Sequence, residues 1–153
     1  MSDIKNYIPG MGRGSVVTSS DTDPQFGQFI SVTLGTSATY TMCSAPTQII
    51  PAPGANYAVV VTDAILDISS GTAFTAGGAT GLSFGGTANF IAGTVGSTAF
   101  FGTTGTTVYL LTNNSYTIPS NTGVYIANQS ANFATGTESV TINCWYAVVP
   151  VSH

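Results

Sequence analysis

Beyond Arg13 the 153-residue chain contains neither lysine nor arginine, so residues 14 to 153 carry charge only on Asp21, Asp23, Asp63, Asp67 and Glu138. Nucleic-acid binding needs cations to displace the counterions of phosphate, and clamping an anionic substrate needs Arg or Lys at a fixed point. The body of the chain has neither. A net charge of −4 and an isoelectric point near 4.2 likewise argue against DNA, RNA and anionic membranes as partners. Charged residues of all kinds make up 5% of the chain, against roughly a quarter in an ordinary soluble domain. The exterior must therefore be covered by Thr, Ser, Asn, Gly and apolar side chains, a surface suited to burial against other protein, because interface centres are depleted in charge.

Long apolar runs are also missing. Thr, Ser or Gly interrupts every stretch well before the roughly 20 residues that span a bilayer. The start, MSDIKNYIPG, has no cationic segment leading into an apolar one, so a secretory signal is not expected and synthesis in a cytoplasm is. Cysteine is limited to Cys43 and Cys144. In a reducing compartment these read as free, buried thiols, the alternative being one bridge from an early strand to the last.

What is present falls into two parts. Residues 1–27 hold five of the eight charged side chains, Asp3, Lys5, Arg13, Asp21 and Asp23, together with Pro9, Pro24 and the run Gly10-Met11-Gly12-Arg13-Gly14. No period of 2 or 3.6 passes through them. They read as an extended N-terminal arm, with Ile4, Tyr7, Ile8 and Met11 as apolar anchors beside Lys5 and Arg13 for docking on a partner.

Residues 28–153 alternate short β-branched and aromatic runs with Gly, Pro, Asn and Ser, the pattern of an all-β sandwich of Greek-key or jelly-roll type, with helix all but excluded. The expected strands are Gln28–Leu34, Thr39–Cys43, Thr47–Ile50, Tyr57–Ser69, Gly81–Phe84, Ala88–Ala92, Thr98–Phe101, Thr106–Leu111, Tyr116–Ile118, Val124–Asn128 and Ser139–Val149. Two are long enough to show their faces. In the last, Val140, Ile142, Cys144, Tyr146 and Val148 should point inward, and Thr141, Asn143, Trp145 and Ala147 outward. An outward Trp145 is expected at an oligomer interface. In the other, Tyr57, Val59 and Val61 share one parity and Ala64, Leu66 and Ile68 the opposite one, which requires a bulge near Thr62-Asp63.

Motifs that might carry catalysis lack partners. Gly81-Leu82-Ser83-Phe84-Gly85 matches a nucleophile elbow, but no helix pattern follows and the only histidine is His153. The glycines of 10–14 follow no strand and no lysine completes a phosphate loop, so they read as a hinge. Asp21-Thr22-Asp23 reads as an Asx-type turn, not a calcium loop. On a strand, Asp63 and Asp67 stand roughly 13 Å apart, too far for a catalytic pair; with Glu138 they read as solvated carboxylates. No catalytic residue, cofactor, metal or small-molecule substrate is assigned.

The stretch Ile49-Ile50-Pro51-Ala52-Pro53-Gly54-Ala55-Asn56-Tyr57-Ala58-Val59-Val60-Val61-Thr62-Asp63-Ala64-Ile65-Leu66-Asp67-Ile68, the aromatic, glycine-rich segment Thr72-Ala73-Phe74-Thr75-Ala76-Gly77-Gly78, and the closing Val140-Thr141-Ile142-Asn143-Cys144-Trp145-Tyr146-Ala147-Val148-Val149 together resemble small β-sandwich structural proteins of tailed bacteriophages, a group that includes capsid decoration, or cement, proteins. The resemblance implies a homotrimer seated on three-fold positions of the head exterior, with the major capsid protein as partner, in a chain made in the host cytoplasm. The alternative is a trimeric tail-fibre or receptor-binding head. Its site would need aromatic platforms, for which Tyr109, Tyr116 and Tyr125 are the candidates.

Overall fold

The computed structural model describes residues 27–69, 71–87, 90–91, 107–110 and 117–151. They build antiparallel sheets. The strands are β1 (Gln28–Leu34), β2 (Thr47–Ile50), β3 (Tyr57–Ile68), β4 (Thr75–Ala76), β5 (Thr80–Phe84), β6 (Thr107–Leu110), β7 (Val124–Asn128), β8 (Phe133–Ala134) and β9 (Val140–Pro150), and one helix, α1 (Thr36–Tyr40), lies between β1 and β2. One sheet has the order β1-β9-β3-β6, a second β2-β7-β5, and a two-residue ladder joins β4 to β8. Phe90 adds an antiparallel bridge to Ser83, and the Ile91 amide donates to Leu82 O at 2.9 Å, so the chain beyond β5 returns along its free edge.

Alternation in the sequence decides which face of each strand is buried. Val59, Val61, Leu66, Val140 and Ile142 from the four-stranded sheet join Ile50, Leu82, Val124 and Ile126 from the three-stranded one in a single core cluster. Each such side chain contributes about 1.5–3 kcal/mol on leaving water. The sandwich is completed by Met42, behind α1, and by Phe74 and Phe133, beside the short ladder, all three buried.

The parity switch in β3 has the expected cause. Val61 faces Tyr146 and Asp63 faces Trp145, so Thr62 is the extra residue of a bulge. Its hydroxyl donates to Trp145 O at 3.0 Å, giving a partner to the carbonyl at which the ladder is interrupted. In β9, Val140, Ile142 and Cys144 are buried and Tyr146 packs on the core. Val148 is half-buried, while Ala147, expected to be outward, is only 4% exposed. Its small side chain stands between the taller same-face neighbours Trp145 and Val149 and opposite Val60.

The expected strand Thr39–Cys43 is replaced by α1 and the turn after it. Thr39 Oγ1 donates back to Gly35 O and Thr41 Oγ1 to Ser37 O, each at 3.2 Å, alongside the matching backbone bonds. Hydroxyls that bond the carbonyl four residues back let β-branched residues enter a short helix. The expected strand Tyr116–Ile118 does not form at Thr117 and Ile118, where Pro119 next in line cannot donate to a ladder; Tyr116 lies outside the described residues. So do Thr98–Phe101 and, within Ala88–Ala92, residues 88, 89 and 92.

Asn128 ties three segments together. Its Oδ1 accepts from the Gly78 amide at 2.9 Å and the Ser130 amide at 3.3 Å, and its backbone N–H donates to Met42 O at 3.3 Å. The side chain is wholly buried and its bond to Gly78 lies in the interior, so its loss strands the Gly78 donor away from water. Asn128→Ala is expected to lower unfolding free energy by about 1–3 kcal/mol. Urea unfolding checks this, and an unchanged midpoint would contradict it.

Candidate functional site on the outer face of the four-stranded sheet

β1, β9 and β3 place their outward residues in three cross-strand rows. Phe29, Trp145 and Asp63 form the first, Ser31, Asn143 and Ile65 the second, Thr33, Thr141 and Asp67 the third. The alternation of Gln28-Phe29-Ile30-Ser31-Val32-Thr33-Leu34 sends Phe29, Ser31 and Thr33 outward and leaves Ile30, Val32 and Leu34 on the core.

Phe29 is 54% exposed, and its ring lies 4.9 Å from that of Trp145, tilted by 48°. An aromatic pair in this offset geometry is worth about 0.5–1.5 kcal/mol beyond its area, yet a large part of it meets solvent. At the far end Thr33 Oγ1 and Thr141 Oγ1 share a hydrogen bond of 2.9 Å. Asp63 is exposed, and its Oδ1 accepts from the Ala64 amide at 2.8 Å. Asp67 is half-buried, and its Oδ1 is buried without a hydrogen-bond partner among the described residues. On the other side of the sheet, burial and then the nearby charge of Asp63 push the Cys144 thiol up to about 12. Burial, then Cys144, raises Tyr146 as well.

Trp145 therefore stands on the outer face as expected. The arm residues Ile4, Lys5, Tyr7, Ile8, Met11 and Arg13 lie outside the described residues. Phe29 and Asp63 were not anticipated as companions of Trp145. The alternation around Phe29 carried that signal, but its pairing with a residue more than a hundred positions away did not show in the sequence.

The catalytic alternatives take structural places. Ser83 is buried in β5 and its hydroxyl donates to Gly86 O. Glu138, expected to be solvated, is wholly buried. It precedes β9 and lies in no strand, whereas Asp67 faces Thr141 on the outer side of the sheet. His153 and Asp21-Thr22-Asp23 lie outside the described residues. Among the described residues no three His, Cys, Asp or Glu side chains gather as metal ligands, and no helix is long and apolar enough to cross a membrane. Both cysteines are free, Cys144 buried and Cys43 half-buried. Of the tyrosines considered for a receptor platform, Tyr125 is half-buried on β7 opposite Gln48 and Ser83; Tyr109 lies in β6, with its backbone facing Leu66, and Tyr116 is outside the described residues.

No family model matches the chain, and no curated protein does. Among solved structures, a chain of the cyanophage Pam1 capsid asymmetric unit is similar, with a TM-score of 0.50 and 13% sequence identity, over 94% of this chain and 100% of that one. At that identity the likeness is one of fold alone.

Proposed function

We propose that this protein is a structural component of a phage virion, a capsid decoration protein that binds the exterior of the assembled head as a homotrimer and stabilises it. The observation that carries the reading is the outer face of the four-stranded sheet. It sets a Phe29–Trp145 pair, Phe29 exposed and Trp145 half-buried, among short hydroxyl and amide side chains, with no cation among its described residues, as a surface destined for burial against protein should. The fold shared with a chain of a cyanophage capsid supports a place in a shell. The main chain crosses between the two larger sheets at each step from β1 to β2, β3, β5, β6, β7 and β9, which supports the jelly-roll reading. The arm, residues 1–27, contributes to anchoring or to trimer lacing through Ile4, Lys5, Tyr7, Ile8, Met11 and Arg13, and the major capsid protein is the partner of the assembled trimer. No enzymatic role is assigned, because the described acids and the buried Ser83 form no catalytic constellation.

Purified protein added to undecorated heads is expected to sediment with them and to raise the temperature at which they break open. Light scattering should return three times the 15.6 kDa chain mass. A monomer at micromolar concentration sinks the trimer. Binding to host cells in place of heads transfers the reading to a tail-fibre or receptor-binding head.

A further inference from the structure

We propose that the outer face of the four-stranded sheet is the docking site for the N-terminal segment, residues 1–26, of a neighbouring copy of this chain. Lys5 and Arg13 meet Asp63 and Asp67, and the segment's apolar side chains cover Phe29 and Trp145. The inference rests on the homo-oligomer reading above and names the surface through which that oligomer is laced.

Charge narrows the choice of occupant. The only lysine and the only arginine of the chain are Lys5 and Arg13. Of the acids in the described body, Glu138 is wholly buried, which leaves Asp63 and Asp67, both on the outer face of the same sheet. Subunits of this protein therefore have opposite charges to bring together through this segment and this face, and nowhere else in the described body. The buried Asp67 Oδ1, with no hydrogen-bond partner among the described residues, is an acceptor that an ammonium or guanidinium would satisfy. The aromatic pair supplies the apolar part of the surface, and the segment's Tyr7, Ile8 and Met11, between Lys5 and Arg13, supply its complement.

Reach permits the exchange. Fifteen residue steps separate Arg13 from Gln28, where β1 begins, an extended span of about 50 Å. Crossing the face from Phe29 to Asp67 takes two strand spacings and four residues, about 16 Å. The tether is about three times longer than the face it must cross, leaving length to pass to a second subunit.

Because Lys5 is the only lysine, carbodiimide coupling gives a direct readout on the full-length oligomer. Peptide mass spectrometry is expected to find Lys5 joined to Asp63 or Asp67. To separate exchange from folding back, a Lys5→Gln chain and an Asp63→Asn/Asp67→Asn chain are co-expressed with different tags and purified as the mixed oligomer. In that assembly the coupling can form only between subunits, and it is expected to persist. Its loss there, or coupling of Lys5 to neither aspartate in the wild type, overturns the proposal. The doubly neutralised chain alone should assemble about fivefold more weakly on dilution, as for an exposed ion pair, and assembly equal to wild type also overturns it. None of these measurements involves heads. Heads that bind the protein in the absence of the coupling would leave the decoration reading standing without the lacing face. Coupling without head binding would do the reverse.

Discussion

Replacing Phe74 by alanine will lower the unfolding free energy by about 3–5 kcal/mol, a large share of the roughly 5–15 kcal/mol that holds a domain folded. The ring is 1% exposed and held from three directions. Tyr40 meets it edge-on at 5.7 Å and Phe133 lies tilted at 5.2 Å. The backbone of Gly136 closes the third side, and a Cβ there would come within 2.7 Å of the ring. Gly136 also has φ +117, which side-chain-bearing residues rarely adopt, and its carbonyl accepts from the Tyr40 hydroxyl at 2.8 Å. Walls pinned by a hydrogen bond and a constrained backbone relax poorly into a void, so the cost should fall at the upper end of the range. Urea unfolding of Phe74→Ala against wild type measures it. A loss below about 1 kcal/mol would mean that the site collapses freely and that the clamp described here does not hold.

The second large effect appears in alkali. The Cys144 thiol, ordinarily near 9.0, is raised to about 12 by burial and by Asp63. A raised acid keeps its proton in the folded state while the unfolded chain gives it up. The stability linked to it is therefore complete below about pH 9 and is lost as pH climbs towards 12. The slope is about 1.4 kcal/mol per pH unit, some 4 kcal/mol across the window. The upward shift of Tyr146 acts with the same sign. Unfolding curves at pH 8, 9.5 and 11, in reductant, should converge for wild type and Cys144→Ala as pH rises, because alanine removes the titrating group whatever its baseline cost. Parallel losses in the two proteins would show that Cys144 is not the group responsible.

Much of the sandwich was legible in the chain because its strands are half-buried and alternate. Gln28–Leu34, Thr47–Ile50 and Val124–Asn128 appear with the expected ends, and the bulge at Thr62 was forced by the parity of Val59 and Val61 against Ala64 and Leu66. Local propensity misled at Thr39–Cys43, where β-branched residues and an aromatic resembled a strand but their hydroxyls close helical turns. Two-residue ladders such as Thr75–Ala76 with Phe133–Ala134 are too short to show a period. Burial of Glu138 was hidden because a carboxylate among Thr and Ser reads as surface. In the candidate site, the outward aim of Trp145 followed from one strand alone. The company it keeps, Phe29 from one side and Asp63 from the other, depends on long-range strand pairing that composition does not encode.

The position of β9 bears on how the molecule comes into being. It lies between β1 and β3 and pairs with both along most of their length, so a polypeptide halted anywhere before residue 140 leaves those strands with no shared neighbour. It also lacks Trp145, the centre of the outer face. Closure must wait for contacts between segments a hundred residues apart, which makes folding slow. Completion of the core and of the outer face then coincide in one strand. A chain that stops before β9 leaves the facing edges of β1 and β3 without their shared neighbour and lacks one ring of the Phe29–Trp145 pair, so truncation near the C-terminus removes both at once.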